Sequence, residues 1–262
     1  MKTFYDVLGV TLDATQEEIE EACWKQVRNL GQQLEGAGGE SRSGAFREFI
    51  AAYNILSNEA DRAMYNKEIG AGQIEGAPVV VYSDDTGPTG EYEVPMGIRQ
   101  REQRHFDIDE DTRLSVLRTG GGTLTFVTTT SDQVVIKGNP PPFAEIREGE
   151  LVIAASDFNA ELSLPDHIGY DLLVRSHEGR IAGVIIREGT IESHGTEIDI
   201  EVGGGLDLDL SRSKDIKPVV SGMELVDSGL YVAPRQSSAG RTLIVKAVGG
   251  SITVRYSRFD FS

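Results

Sequence analysis

The hydrophobic period of the chain changes once. Between Ile19 and Ile69 apolar residues recur in steps of three and four, whereas between Leu114 and Val254 they alternate with polar ones. The first period lines one face of a helix and the second lines one face of a strand. Neither part can take the other's structure without turning its apolar side to water. The pattern therefore predicts two domains, an all-α unit followed by an all-β unit. We place them at residues 1–70 and 113–262, with a polar, glycine-containing bridge over 71–112. Val79–Tyr82 and Tyr92–Val94 could be short strands in that bridge, and part of it could form an edge strand of the second domain.

Within the helical unit, Thr15 and Glu18 form a capping box before a stripe of Ile19, Ala22, Cys23, Gln26, Val27, Leu30 and Leu34. Gly36-Ala37-Gly38-Gly39 breaks that helix. Phe46, Phe49, Ile50, Tyr53 and Leu56 predict a second helix over 44–57. Ser57-Asn58 ends it, and a short helix with Arg62, Ala63, Tyr65 and Ile69 follows.

The β unit has short strands at steps of about ten residues, the spacing of a sandwich, barrel or solenoid. Glycines precede several of them, as at Gly179-Arg180-Ile181, Gly195-Thr196-Glu197-Ile198 and Gly249-Gly250-Ser251-Ile252. Turns of this kind feeding stacked strands predict a β-solenoid, or β-helix, with a β-sandwich as the alternative. The last residues, Val254–Ser262, could form a last strand or the cap of the solenoid; if that strand stays exposed, it is an edge that another copy could extend.

Charge narrows the partners. With 25 Lys and Arg against 42 Asp and Glu, the 262-residue chain carries a formal charge of −17. Nucleic acid and anionic membranes need a basic footprint, so neither is expected. Cys23 is the sole cysteine, which rules out an intramolecular disulfide and a cysteine zinc cluster. With no apolar run of signal-peptide or membrane-spanning length, we expect a cytoplasmic protein.

The segments Phe4-Tyr5-Asp6-Val7-Leu8-Gly9-Val10, Asp13–Ile19, Phe46-Arg47-Glu48-Phe49 with Ala52–Ser57, and Arg62-Ala63-Met64-Tyr65-Asn66 resemble, in order, the J domain of DnaJ-type co-chaperones. The resemblance covers about 65 residues and implies the J-type helical fold. It also implies a contact with a DnaK-type chaperone, made by a His-Pro-Asp tripeptide between the second and third helices and by a basic face on the second. Here the tripeptide positions read Gly31-Gln32-Gln33. The helix carries Glu17, Glu18, Glu20 and Glu21 against Lys25 and Arg28, and Trp24 stands where the family has a basic residue. A DnaK-type partner is therefore possible but not expected. More weakly, Ala160–Pro165 and Tyr170–Val174 resemble bacterial β-helical domains of the adhesin type, which informs architecture alone.

The candidate partner contacts are Trp24, Lys25, Arg28, Gly31, Gln32 and Gln33. Trp24 is either an exposed anchor, since Trp dominates interface energetics, or packs against the glycine loop or the β unit. Cys23 reads as core. His105, His167, His177 and His194 have no spacing that joins two of them, and Asp166-His167 lacks a nucleophile elbow. Glu197-Ile198-Asp199-Ile200-Glu201 and Asp207-Leu208-Asp209 put carboxylates on consecutive strands, which leaves a weak Ca²⁺ site at Asp199, Asp207 and Asp209. The alternative is a solvated face that discourages edge pairing. Pro140-Pro141-Pro142 reads as an extended turn.

With no nucleophile elbow, phosphate loop, metal cluster or basic stripe, the sequence predicts a non-enzymatic protein without a cofactor. We expect a structural, assembly or adaptor role. The helical unit would contact a protein partner, and the β unit would be a rigid body. The partner would be another copy of the chain or a component of a bacterial assembly. A regulator of a DnaK/DnaJ system and a β-helical surface or glycan-binding protein are the alternatives.

Overall fold

The computed structural model describes residues 2–34, 43–70, 103–138, 142–157, 159–203, 205–234 and 241–257. The proposed helix break at 36–39, the strands at 79–82 and 92–94, Pro140-Pro141 and the last five residues lie outside them. Four helices come first: α1 (Phe4–Leu8), α2 (Gln16–Leu34), α3 (Ser43–Leu56) and α4 (Glu59–Gly70). Local chemistry fixes their ends. Glu18 Oε2 accepts from the Thr15 amide at 2.7 Å, and Thr15 Oγ1 accepts from the Glu18 amide at 3.1 Å. Gly9 closes α1 at φ 72°, and Asn58 Oδ1 accepts from the Ala60 amide at the start of α4. Arg62 of α4 donates to Tyr5 Oη, and Tyr5 Oη donates to Asn66, which ties α4 to α1.

Seventeen strands follow among the described residues. They are β1 (Gln103–Asp107), β2 (Arg113–Thr119), β3 (Thr123–Thr129), β4 (Gln133–Gly138), β5 (Phe143–Arg147), β6 (Glu150–Ser156), β7 (Ala160–Pro165), β8 (Asp171–His177) and β9 (Arg180–Ile185). After them come β10 (Gly189–His194), β11 (Glu197–Val202), β12 (Asp207–Asp209), β13 (Val219–Ser221), β14 (Glu224–Asp227), β15 (Leu230–Val232), β16 (Thr242–Val248) and β17 (Ser251–Tyr256). They form two sheets that do not close into a barrel. Sheet A runs β1-β4-β7-β3-β9-β11-β17-β13, and sheet B runs β14-β15-β12-β16-β10-β8-β2-β6-β5. The all-α plus all-β division is the one the change of period predicts. Because β1 pairs with β4 in sheet A, the β unit includes residues from the region read as a bridge.

The middle of each sheet is parallel, and the strands match up as six two-strand rungs, in the spatial order β6–β7, β2–β3, β8–β9, β10–β11, β16–β17, β12–β13. The rungs are not stacked in chain order. β6–β7 lies outside β2–β3, and β16–β17 slots between β10–β11 and β12–β13. Antiparallel pairs finish the ends: β1–β4, β4–β7, β5–β6, β12–β15 and β14–β15. Val254–Tyr256 of the proposed last strand belong to β17, which lies inside sheet A, hydrogen-bonded to β11 on one side and β13 on the other. The outer strand is β13, only three residues long and preceded by Pro218, which has no N–H to offer a further strand.

Leucine, isoleucine and valine side chains from both sheets fill the space between them. Arg118 also points inward, fully buried. It donates to the carbonyls of Glu178, Gly121 and Gly122 and so pins two neighbouring rung corners. Burial pushes its pKa down to about 10.

Two of the glycines that introduce strands do different work. Gly250, at φ 77°, has no room for a Cβ, which would lie 2.2 Å from the Thr196 carbonyl oxygen; Gly195, at φ 62°, has open space. Gly195→Ala is expected to cost only the left-handed penalty, about 1–2 kcal/mol. Gly250→Ala must also move a backbone, and should cost about 3 kcal/mol or more. Urea denaturation of the two variants measures the difference.

Candidate functional site

Helix α2 presents three faces to three environments. Ile19, Cys23, Val27 and Leu30 enter the helical core. Burial, with Glu145 and Glu20 nearby, pushes the Cys23 thiol pKa well up, so Cys23 is an inert core residue. A second face, carrying Trp24, Arg28 and Gly31, lies against the outside of sheet B. The third, with Glu18, Ala22, Lys25 and Asn29, borders a groove beside the α1 turn.

The seam with sheet B is a continuous apolar layer. Trp24, Phe46, Phe49 and Tyr53 of the helices share one buried cluster with Leu117 of β2, Phe143 of β5, and Val152 and Ala154 of β6. The Phe143 ring lies 4.7 Å from that of Tyr53 and 6.1 Å from that of Phe49. Each large apolar side chain buried in this way contributes about 1.5–3 kcal/mol. Charges frame the layer. Two guanidinium groups lie over the Trp24 ring, that of Arg147 at 5.3 Å and that of Arg28 at 5.6 Å from its centroid. Arg147 is also paired with Glu21 at 2.7 Å and with Glu145, while Arg28 lies 3.8 Å from Glu148. The hydrogen bond from Arg147 holds the Glu21 carboxyl below its ordinary range. Burial pushes Glu145 up despite the same arginine. At the far end, Arg47 of α3 grips Asp157 through Nη2 at 2.8 Å and Nε at 3.0 Å, and Arg104 donates to Tyr53 Oη at 3.1 Å.

The predicted contact residues divide between these faces. Trp24 is 6% exposed and packs on the β unit, the second of the two readings of this residue. Arg28 lies at the rim of the seam. Lys25 is exposed on the groove side, 3.7 Å from Glu21. Gly31-Gln32-Gln33 is not a loop between helices: it is the last full turn of α2. With no proline to interrupt it, the helix continues through these positions. Gly31 is buried, and a Cβ there would lie 3.5 Å from the Leu117 side chain; Gln32 is exposed.

The suggested Ca²⁺ ligands do not meet. Asp199 lies on β11 in sheet A, held by Arg180 and by Arg255 at 2.7 Å, whereas Asp207 and Asp209 lie on β12 in sheet B. Asp207 accepts from the Ala233 amide and Asp209 from the Ser211 amide. Consecutive strands here belong to opposite sheets, so alternation along the chain does not gather their carboxylates. Among the described residues no group of three or more His, Cys, Asp or Glu side chains is placed to hold a metal ion. No described helix is long and apolar enough to cross a membrane.

Sequence spacing missed two arrangements. His177 and His194, seventeen positions apart, face each other across the parallel β8–β10 register with ring centroids 4.8 Å apart. It also missed the β side of the seam, although a signal existed. Leu151-Val152-Ile153-Ala154-Ala155 and Val116-Leu117 break the strict alternation. Strands apolar on both sides are covered on both sides.

Residues 3–66 match the DnaJ domain family model and form a DnaJ domain. The chain is 36% identical over 66 residues to the chaperone protein DnaJ of Thermotoga petrophila, covering 25% of this chain and 18% of that one. It is 35% identical over 72 residues to DnaJ of Hydrogenobacter thermophilus, covering 28% and 20%, respectively. The chain thus spans about a fifth of the length of these curated relatives. Among solved structures, a "putative cell adhesion protein" from Clostridium sporogenes is similar at a TM-score of 0.35 and 9% identity, over 60% of this chain and 99% of that one.

Trp24 is the sole tryptophan, so its emission reports on the seam. Phe143→Ala is expected to leave a cavity against Tyr53 and shift Trp24 emission to the red, with far-UV circular dichroism retained. Unchanged emission would show that Phe143 does not seal the layer. A second outcome concerns His167, which lies 2.7 Å from Asp132 and 3.0 Å from Asp166. The hydrogen bonds it donates to Asp132, and then to Asp166, raise its pKa. The tie between these loops is therefore complete below the ordinary imidazole value and is lost as pH rises through the raised one. NMR titration should place His167 above the ordinary imidazole value, and His167→Gln should flatten the pH dependence of amide exchange around Asp132.

Proposed function

We propose that this chain is a non-catalytic protein-interaction scaffold. Its DnaJ domain would be a contact module mounted on a rigid β body, without the ability to drive ATP hydrolysis by a DnaK-type chaperone. The presence of a DnaJ domain supports a chaperone-associated or protein-interaction role. The observation that carries the finer reading is the fate of Gly31-Gln32-Gln33: these positions are wound into α2, with Gly31 packed toward Leu117 of the β unit. A residue at position 31 cannot project a large polar side chain without entering the apolar seam. The partner is a protein, either another copy of the chain or a different component, and the compartment is the cytoplasm.

The test is ATP hydrolysis by a purified DnaK-type chaperone, with an active DnaJ as the positive control. The chain is expected to leave the basal rate unchanged. The triple variant Gly31→His, Gln32→Pro, Gln33→Asp is expected to leave it unchanged as well, because its imidazole would have to displace Leu117. Stimulation by the unmodified chain approaching that of DnaJ would overturn the proposal.

A further inference from the structure

Among the described residues the third face of α2 is the most open: Ala22 packs against the edge of the helical core, and Glu21 reaches Arg147 of β5. With the turn after α1 this face borders a groove of about 750 Å³. Val10 and Ala22, both half-buried, give it an apolar floor, and Leu12, 61% exposed, stands in the adjoining loop. The rim is acidic: Glu17, Glu18 and Glu21 line it together with Lys25, and all four are exposed; Glu21 is also paired with Arg147 at 2.7 Å, so Glu17 and Glu18 carry the uncompensated charge among the described lining residues. A volume of this size accepts a few side chains of a partner segment. An apolar floor with a carboxylate rim is complementary to a helix that carries apolar residues on one side and Lys or Arg on the other.

We propose that this groove docks a basic amphipathic segment of a partner protein. The proposal rests on the reading of the DnaJ domain as a protein-contact module and supplies the chemistry of the partner. Attraction to the rim would guide the encounter, and Val10, Ala22 and Leu12 would supply the contact area. A second copy of this chain is a poorer occupant, since at −17 each copy repels the other.

The test uses the full chain and a fluorescein-labelled amphipathic peptide of Leu and Lys, with its Leu and Glu counterpart as a control, read by fluorescence anisotropy at two salt concentrations. Glu18 caps α2 and Glu21 holds Arg147, so the informative reversals are Glu17→Lys and Lys25→Glu. Glu224→Lys, on the distant exposed β14, changes the net charge as much as Glu17→Lys does. The Lys peptide should bind and the Glu peptide should not. Glu17→Lys should weaken binding about three- to tenfold, and Lys25→Glu should tighten it by a similar factor. Glu224→Lys should leave it within about twofold of the unmodified chain. Absence of binding at low salt would overturn the proposal. So would equal weakening by Glu17→Lys and Glu224→Lys, which would mean attraction to the whole acidic chain and not to the groove. The ATP-hydrolysis assay does not involve this peptide, so failure here is distinguishable from failure of the scaffold reading.

Discussion

Sheet B is apolar on both faces only where the helices cover it. In β2 and β6 nearly every residue is buried, while β10, β12 and β16 of the same sheet alternate between inward and outward residues. The difference is the helical unit, which lays Trp24, Phe46, Phe49 and Tyr53 over Leu117, Phe143, Val152 and Ala154. Without this cover those β residues would expose a large apolar patch, and the outer face of the α2–α3 pair would be equally exposed. The packing of this layer resembles the interior of one domain more than a polar contact between two.

That constraint decides which faces of α2 are covered. A helix has room for about three faces. In α2, among the described residues, one faces the helical core, one faces the seam and the third borders the groove beside the α1 turn. The arginines at the seam show how the balance is held. Arg147 satisfies Glu21 and Glu145 while lying over the Trp24 ring, so its charge remains partnered as apolar groups close around it. Arg47 and Asp157 do the same at the other end. The ion pairs fix orientation, and the aromatic layer supplies most of the energy.

Much of this was legible in the chain. The two periods divide it into α and β parts, and the Thr15–Glu18 box marks the start of α2. The paired motifs from Phe4 to Asn66 mark the DnaJ domain. Three things were not legible, each for a physical reason. Rung order depends on which loop returns where, and alternation is the same whether β6 stacks above or below β2. Neighbouring strands such as β11 and β12 enter different sheets, so Asp199 and Asp209 look adjacent in sequence and are separated in space. The environment of Trp24 depends on a surface more than ninety residues away in the chain, supplied by Phe143 and Arg147; local spacing in α2 could not choose between solvent and sheet. The clue that did exist was the doubled apolar runs at 116–117 and 151–155.

The most direct test of the shared seam is amide hydrogen exchange on the intact chain and on Trp24→Ala. If helices and sheet are fastened through one core, the slowest amides of α2 and β2 open with a common free energy. Trp24→Ala then lowers both together, by about 3–5 kcal/mol. Exchange of α2 through an opening of its own, with β2 unaffected by Trp24→Ala, would contradict this.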